Sequence, residues 1–192
     1  MIVAGATVTA TAQNKPPEVS KPAQSAQSAP AQTPAPLTAA ARPSDVDSPE
    51  HLIAALYDVI SGPAGKRDWD RFRSLFYQGA RLMPSGKPPQ GAAVVRVLTP
   101  EEYAARGQAI FDKEGFFERS IANRIEIWDR IAHVWSTYES RHAKDDAKPF
   151  ARGINSIQLF NDGSRWWLLS IFWEAEDANH SLPEQYLHWS AQ

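Results

Sequence analysis

A chain of 192 residues with a formal net charge of −2 and no cysteine has room for one ordinary domain and excludes disulfides, thiol nucleophiles and thiolate metal sites. Basic and acidic residues alternate along it without forming blocks, so there is no electrostatic footprint for nucleic acid or for a membrane surface. No apolar run reaches the length of a membrane-spanning helix, and membrane insertion is not expected.

The first segment, residues 1–12 (MIVAGATVTATA), is small and apolar and ends in Ala10-Thr11-Ala12. That is the pattern of a signal peptide and its cleavage site, lacking only the positively charged start. We read it as a truncated signal peptide, which places the protein in the periplasm or outside the cell; a cytoplasmic protein with a disordered head is the alternative. Residues 13–43 are rich in Pro, Ala, Gln and Ser. All seven Trp, five Tyr and eight Phe fall at or after Tyr57. A segment without aromatic residues buries too little apolar surface to offset its ordering entropy, so 13–43 is predicted to be a disordered linker. The domain is then 44–192.

In that domain, Ser48-Pro49-Glu50 reads as a cap followed by Pro at the first helical position, and Leu52, Ile53, Leu56, Val59 and Ile60 recur at helical spacing. A first helix therefore runs to Gly62-Pro63. A second, capped by Asp68, runs from about Trp69 to Phe76, with Gly79 ending it. Two extended pieces, Ala80 to Met83 and Ala92 to Leu98, flank the Pro/Gly-rich turn 84–89 and read as a hairpin. Thr99-Pro100-Glu101-Glu102 opens a third helix to about Lys113. Long strands follow at about 117–128, 131–141, 150–160 and 165–174, separated by turn-forming stretches. Helices first and a strand meander after them indicate an α+β domain with a bent, mostly antiparallel sheet.

This order of elements, together with Asp68-Trp69-Asp70-Arg71-Phe72, the strand IAHVWSTYES and the stretch RGINSIQLF-NDG-SRWWLLSIFWEAE, resembles the nuclear transport factor 2-like (SnoaL-like) superfamily, in particular its uncharacterised bacterial branch. The superfamily includes ketosteroid isomerases and polyketide cyclases of the SnoaL type. The resemblance implies a cone-shaped half-barrel in which three N-terminal helices pack on a bent sheet and enclose a pocket. It also implies a homodimer through the convex sheet face.

Taking Asp129-Arg130 as a two-residue turn pairs Trp128 with Ile131. That register puts Ile121, Asn123, Ile125 and Ile127 beside Ala132, Val134, Ser136 and Tyr138 on one face, which we assign to the pocket. The opposite face carries Arg124, Glu126, Trp128, His133, Trp135, Thr137 and Glu139 and is too charged for a core; Trp128 and Trp135 in it point to a dimer surface. In the last hairpin the same reasoning groups Asn155, Ile157 and Leu159 with Trp166, Leu168 and Ser170, and puts Trp173 on the other side, unless a longer turn shifts the register by one.

The candidate ligand-binding residues are Tyr57, Asn123, Tyr138 and Asn155 as neutral hydrogen-bonding groups, Arg81 at the cavity mouth, and the aromatics Trp69, Phe72, Phe76 and Phe111 on the helical side. Each also has an ordinary structural role open to it, as a packed ring, a strand residue or a surface cation. His133 beside Glu126 reads as a cross-strand ion pair, and His142, Asp145 and Asp146 as a solvated turn. No residue set has metal-ligand spacing, and no cofactor or metal is assigned.

Isomerase and cyclase relatives carry a carboxylate after the second helix, where it serves as a general base. Here that stretch is Leu75-Phe76-Tyr77-Gln78-Gly79-Ala80-Arg81, without an acid, and the assigned pocket face supplies none in its place. No catalytic residue is assigned. The leading expectation is a pocket that binds a small apolar ligand without catalysis. The alternatives are an isomerase, dehydratase or hydrolase using Tyr138 or Tyr57 with a carboxylate misplaced by this register, and a structural dimeric accessory domain of the cell envelope.

Overall fold

The computed structural model describes residues 40–88 and 90–188; the expected signal segment and most of the expected linker lie outside them. A one-turn helix, α1 (Pro43–Val46), comes first. It begins where the expected linker ends, and it is held by charge: Arg71 donates to both oxygens of Asp45, at 2.8 and 3.0 Å, and to Asp58 at 2.5 Å. Val46 is buried beside it.

Helix α2 (Pro49–Ile60) starts with the Ser48 hydroxyl accepting from the His51 amide. Its stripe of Leu52, Ile53, Leu56 and Ile60 is buried against the sheet. Helix α3 (Trp69–Ser74) is capped by Asp68, which accepts from the Arg71 amide. It is shorter than expected, because Phe76 already belongs to strand β1 (Phe76–Gly86). Gly79, at φ +83°, therefore sits within an irregularity of that strand and does not end the helix. Strand β2 (Val94–Val95) pairs with the end of β1, and helix α4 (Pro100–Phe111) opens with a reciprocal Thr99–Glu102 capping box.

The four long strands are β3 (Phe117–Trp128), β4 (Ile131–Arg141), β5 (Ala151–Asn161) and β6 (Trp166–Ala175). The sheet order is β2-β1-β6-β5-β4-β3, antiparallel except for the parallel pair β1–β6. Leu52, Phe72, Leu75, Val134, Ile157 and Leu168 are fully buried between the helices and one sheet face.

Register decides what that inner face carries. Trp128 pairs with Ile131 around Asp129, as expected, and the pairing continues to Asn123 and Ser136. Between Ser120 and Ala122 the register shifts: Ile121 is an extra residue, so Ser120 faces Tyr138 and Glu118 faces Ser140. From Ser120 back, the even-numbered residues face inward. A second shift, at Leu169, leaves Leu159 paired with Leu168 but Gln158 with Ser170, so Ser170 turns outward and Trp173, opposite Asn155, turns inward. The expected grouping of the last hairpin thus holds for Asn155, Ile157, Leu159 and Leu168 and reverses beyond the bulge.

The outer face is not bare. A short 3-10 turn, Glu184–Tyr186, lies over β4. There the buried Thr137 hydroxyl donates to the Tyr186 carbonyl at 2.6 Å, and the Tyr186 ring covers Trp135 at 6.0 Å. The expected His133–Glu126 pair is replaced: His133 bonds Ser156, and Glu126 pairs with Arg124 at 2.6 Å.

Candidate functional site

A cavity of about 210 Å³ lies between α2, α3 and α4 and the inner face of the sheet. Its walls are mainly apolar, from Leu56, Ile60, Leu82 and Ile171 and the rings of Phe72 and Trp173. Polar groups reach it at a few points.

Tyr57, one helical turn past Ile53, projects from the buried stripe of α2 toward the sheet. Its hydroxyl lies 2.7 Å from Ser136 Oγ and accepts from Asn155 Nδ2 at 2.9 Å. Ser136 and Asn155 are register partners on β4 and β5, so one phenol ties the helix to two strands. Tyr138 also lines the cavity, but its hydroxyl has no hydrogen-bond partner among the described residues; Ser136 and Asn155 are taken by Tyr57. Gly153, directly opposite Tyr138, makes room for it, since a Cβ there would stand 2.6 Å from the hydroxyl and 2.2 Å from the Glu174 carbonyl.

The most consequential lining residue is Glu118. Ser140 donates to Glu118 Oε2 at 2.7 Å, and among the described residues no cation pairs with the carboxyl. Burial penalises its charged form and pushes its pKa up to about 7, the Ser140 hydrogen bond offsetting part of that. Burial also lifts the phenols of Tyr57, Tyr103 and Tyr138, and the neighbouring Glu118 lifts them further. The three tyrosines stay neutral donors or acceptors. Among the described residues that line the cavity, Glu118 is the one whose pKa is drawn toward neutral pH, where it can exchange a proton.

Of the residues expected at the site, the structure brings Tyr57, Phe72, Tyr138 and Asn155 together around the cavity. It sets the others elsewhere. Trp69, Phe76 and Phe111 build the aromatic core: Trp69 packs edge-on against Phe72 and stacks with Phe111, its indole donates to Gln108 at 2.6 Å, and Phe76 lies against Phe72. Arg81 is exposed and donates to the carbonyls of Gly79 and Ala80. Asn123 has the expected register beside Ser136, but it is exposed and accepts from Ser120.

Glu118, Tyr103, Ser140 and Trp173 line the cavity without having been expected there. A signal for Glu118 was present. Carrying the parity of Ile127, Ile125 and Asn123 unbroken back along β3 would put Arg119 inside an apolar pocket, which is costly for an unpaired guanidinium. A bulge before Arg119 relieves this; in the structure Arg119 points outward and pairs with Glu139 at 2.7 Å.

No protein-family profile matches the sequence, and no curated protein matches it. Solved structures do. A protein of unknown function with a cystatin-like fold from Nostoc punctiforme is 15% identical, covering 67% of this chain and 89% of that one with a TM-score of 0.52. A protein from Kribbella flavida is 13% identical over 67% and 88% of the two chains, with a TM-score of 0.48. A nuclear transport factor 2-like protein of unknown function from Methylobacillus flagellatus is 11% identical over 68% and 95%, with a TM-score of 0.45. At such identities likeness speaks to architecture and not to activity. With helices laid across one face of a six-stranded, mostly antiparallel sheet, the chain has an α+β fold similar to that of the cystatin-like protein from Nostoc punctiforme.

Proposed function

We propose that the domain binds a small, largely apolar molecule in the cavity between its helices and its sheet. The cavity itself carries this reading: about 210 Å³, walled mainly by aliphatic and aromatic side chains, with Tyr138 and Glu118 as polar points. An apolar cavity of about 150 Å³ already admits benzene, so a single-ring compound is the right scale. Mass spectrometry of the protein purified under native conditions is expected to find a retained small molecule, or, after extraction, a thermal shift on adding a single-ring compound. Absence of both would remove the reading.

Glu118 favours a second reading, an isomerase, dehydratase or hydrolase that moves a proton within the bound molecule. A carboxyl titrating near neutral pH in an apolar cavity is suited to general acid–base work. Turnover of a substrate lost in Glu118→Gln but retained in Tyr57→Phe would establish it; binding without turnover in both would leave the noncatalytic pocket.

The proposed homodimer now rests on Trp128 alone. Trp128 is 77% exposed at the tip of the β3–β4 hairpin beside the exposed Ile131, whereas Trp135 is covered by Tyr186.

A further inference from the structure

We propose that the ligand is a small apolar amine whose ammonium group is held by the Glu118 carboxylate and the surrounding aromatic rings. This rests on the cavity being a binding pocket and goes on to name the charge of what enters it. Every ionisable side chain lining the cavity is either acidic or a phenol: Glu118, Tyr57, Tyr103 and Tyr138. Among the described residues, no Lys, Arg or His lines it. An anionic ligand would therefore meet a carboxylate with no cation to offset it.

The carboxyl is also under-satisfied. Ser140 is its one hydrogen-bond donor among the described residues, and the hydroxyls of Tyr138 and Tyr103 are not used as donors to it. Folding has already placed this carboxylate, part-buried, in a mainly apolar wall, so part of its desolvation cost is already met and an arriving ammonium gains a counter-charge. Aromatic faces add to that. Tyr103, Phe116 and Trp173 line the same cavity, with Tyr103 and Trp173 edge to face at 6.2 Å, and rings in contact with a desolvated cation attract it through their quadrupoles. The remainder of the wall, Leu56, Ile60 and Ile171, suits a hydrocarbon body.

Binding an ammonium beside Glu118 favours the ionised carboxylate. Around neutral pH, where the free protein holds part of that proton, complex formation releases it. The three tyrosines facing Glu118 remain protonated throughout and do not contribute.

The test uses three probes of one shape, benzylamine, benzyl alcohol and benzoate, titrated calorimetrically into the wild-type protein and Glu118→Gln. Benzylamine is expected to bind the wild type about tenfold more tightly than benzyl alcohol at pH 8, the difference between a charge-assisted and a neutral hydrogen bond, with benzoate weakest. At pH 7 its apparent enthalpy is expected to change between buffers of different ionisation enthalpy, reporting the released proton. Glu118→Gln is expected to lose both the amine preference and the proton release, and a cooperative thermal unfolding transition shows that the variant is folded. If the alcohol or benzoate binds the wild type as well as the amine, or if the variant keeps the preference, the amine proposal is overturned and the apolar pocket stands. If no probe binds, both fall.

Discussion

Two phenols that line the cavity, Tyr57 on α2 and Tyr138 on β4, have opposite roles in this domain. Tyr57 spends its hydroxyl on Ser136 and Asn155, both buried, so Tyr57→Phe leaves two buried polar side chains without their partner. A loss of about 1–3 kcal/mol is expected, read by urea unfolding. Tyr138 has no such bond among the described residues, and Tyr138→Phe is expected to leave stability within about 0.5 kcal/mol while weakening a pocket ligand about tenfold. Equal stability losses in the two variants would show that Tyr138 has a structural partner as well.

Glu118 gives a pH signature of its own. Its carboxyl is protonated in both folded and unfolded chains below about pH 4.5, where it costs nothing. As pH rises toward 7 the unfolded chain ionises and the folded one resists, so stability contributed by the protonated group is lost across that window and the penalty is complete above it. The shift corresponds to about 3 kcal/mol at full ionisation. Glu118→Gln should therefore match the wild type at pH 4 and unfold at a higher temperature at pH 8, a difference that thermal scans across pH would reveal. Asp45, Glu139 and Glu176 act with the opposite sign: arginine partners hold their carboxyls low, and their stabilisation is lost on acidification. Comparing the two proteins cancels these common terms.

Among the elements, α1 is too short to hold itself as a helix, and its placement depends on one arginine. Arg71, on α3, bridges Asp45 of α1 and Asp58 of α2, and both Arg71 and Asp45 side chains are largely buried. Arg71→Ala would leave the Asp45 carboxylate buried without its counter-charge, an expected loss of about 3 kcal/mol. Denaturant unfolding checks this, and the double variant Arg71→Met/Asp45→Asn is expected to recover part of it. The β-bulge at Ile121 is the other element-scale device. One extra residue turns Glu118 into the cavity and sends Arg119 out to Glu139.

For the molecule as a whole, the uncovered tip of the β3–β4 hairpin is the surface to test. We expect a dimer in sedimentation at micromolar concentration, and a monomer for Trp128→Glu, because a charge at a 77% exposed indole spares the fold but not an apolar contact. A wild-type monomer would remove the dimer. The elements themselves were readable along the chain. Thr99-Pro100-Glu101-Glu102 and Ser48-Pro49 announce their helices through local capping chemistry, and the bounds of the four long strands follow from turns such as Asp129-Arg130. The order of elements then fixed an α+β class, since helices that precede a strand meander can cover only one face of it.

What the chain could not announce is parity beyond a bulge. Period-two alternation tells inside from outside only while each residue advances one register step, and a single unpaired residue reverses every assignment past it. Ile121 and Leu169 do this, which is why Glu118 and Trp173 entered the cavity unforeseen while Asn155 and Tyr138 were placed by unbroken alternation. The same limit governs coverage. Local sequence shows that Trp135 lies on the charged face, but only long-range packing brings Tyr186 over it, because contact between residues so distant in the chain is decided by the folded sheet and not by any neighbourhood of sequence.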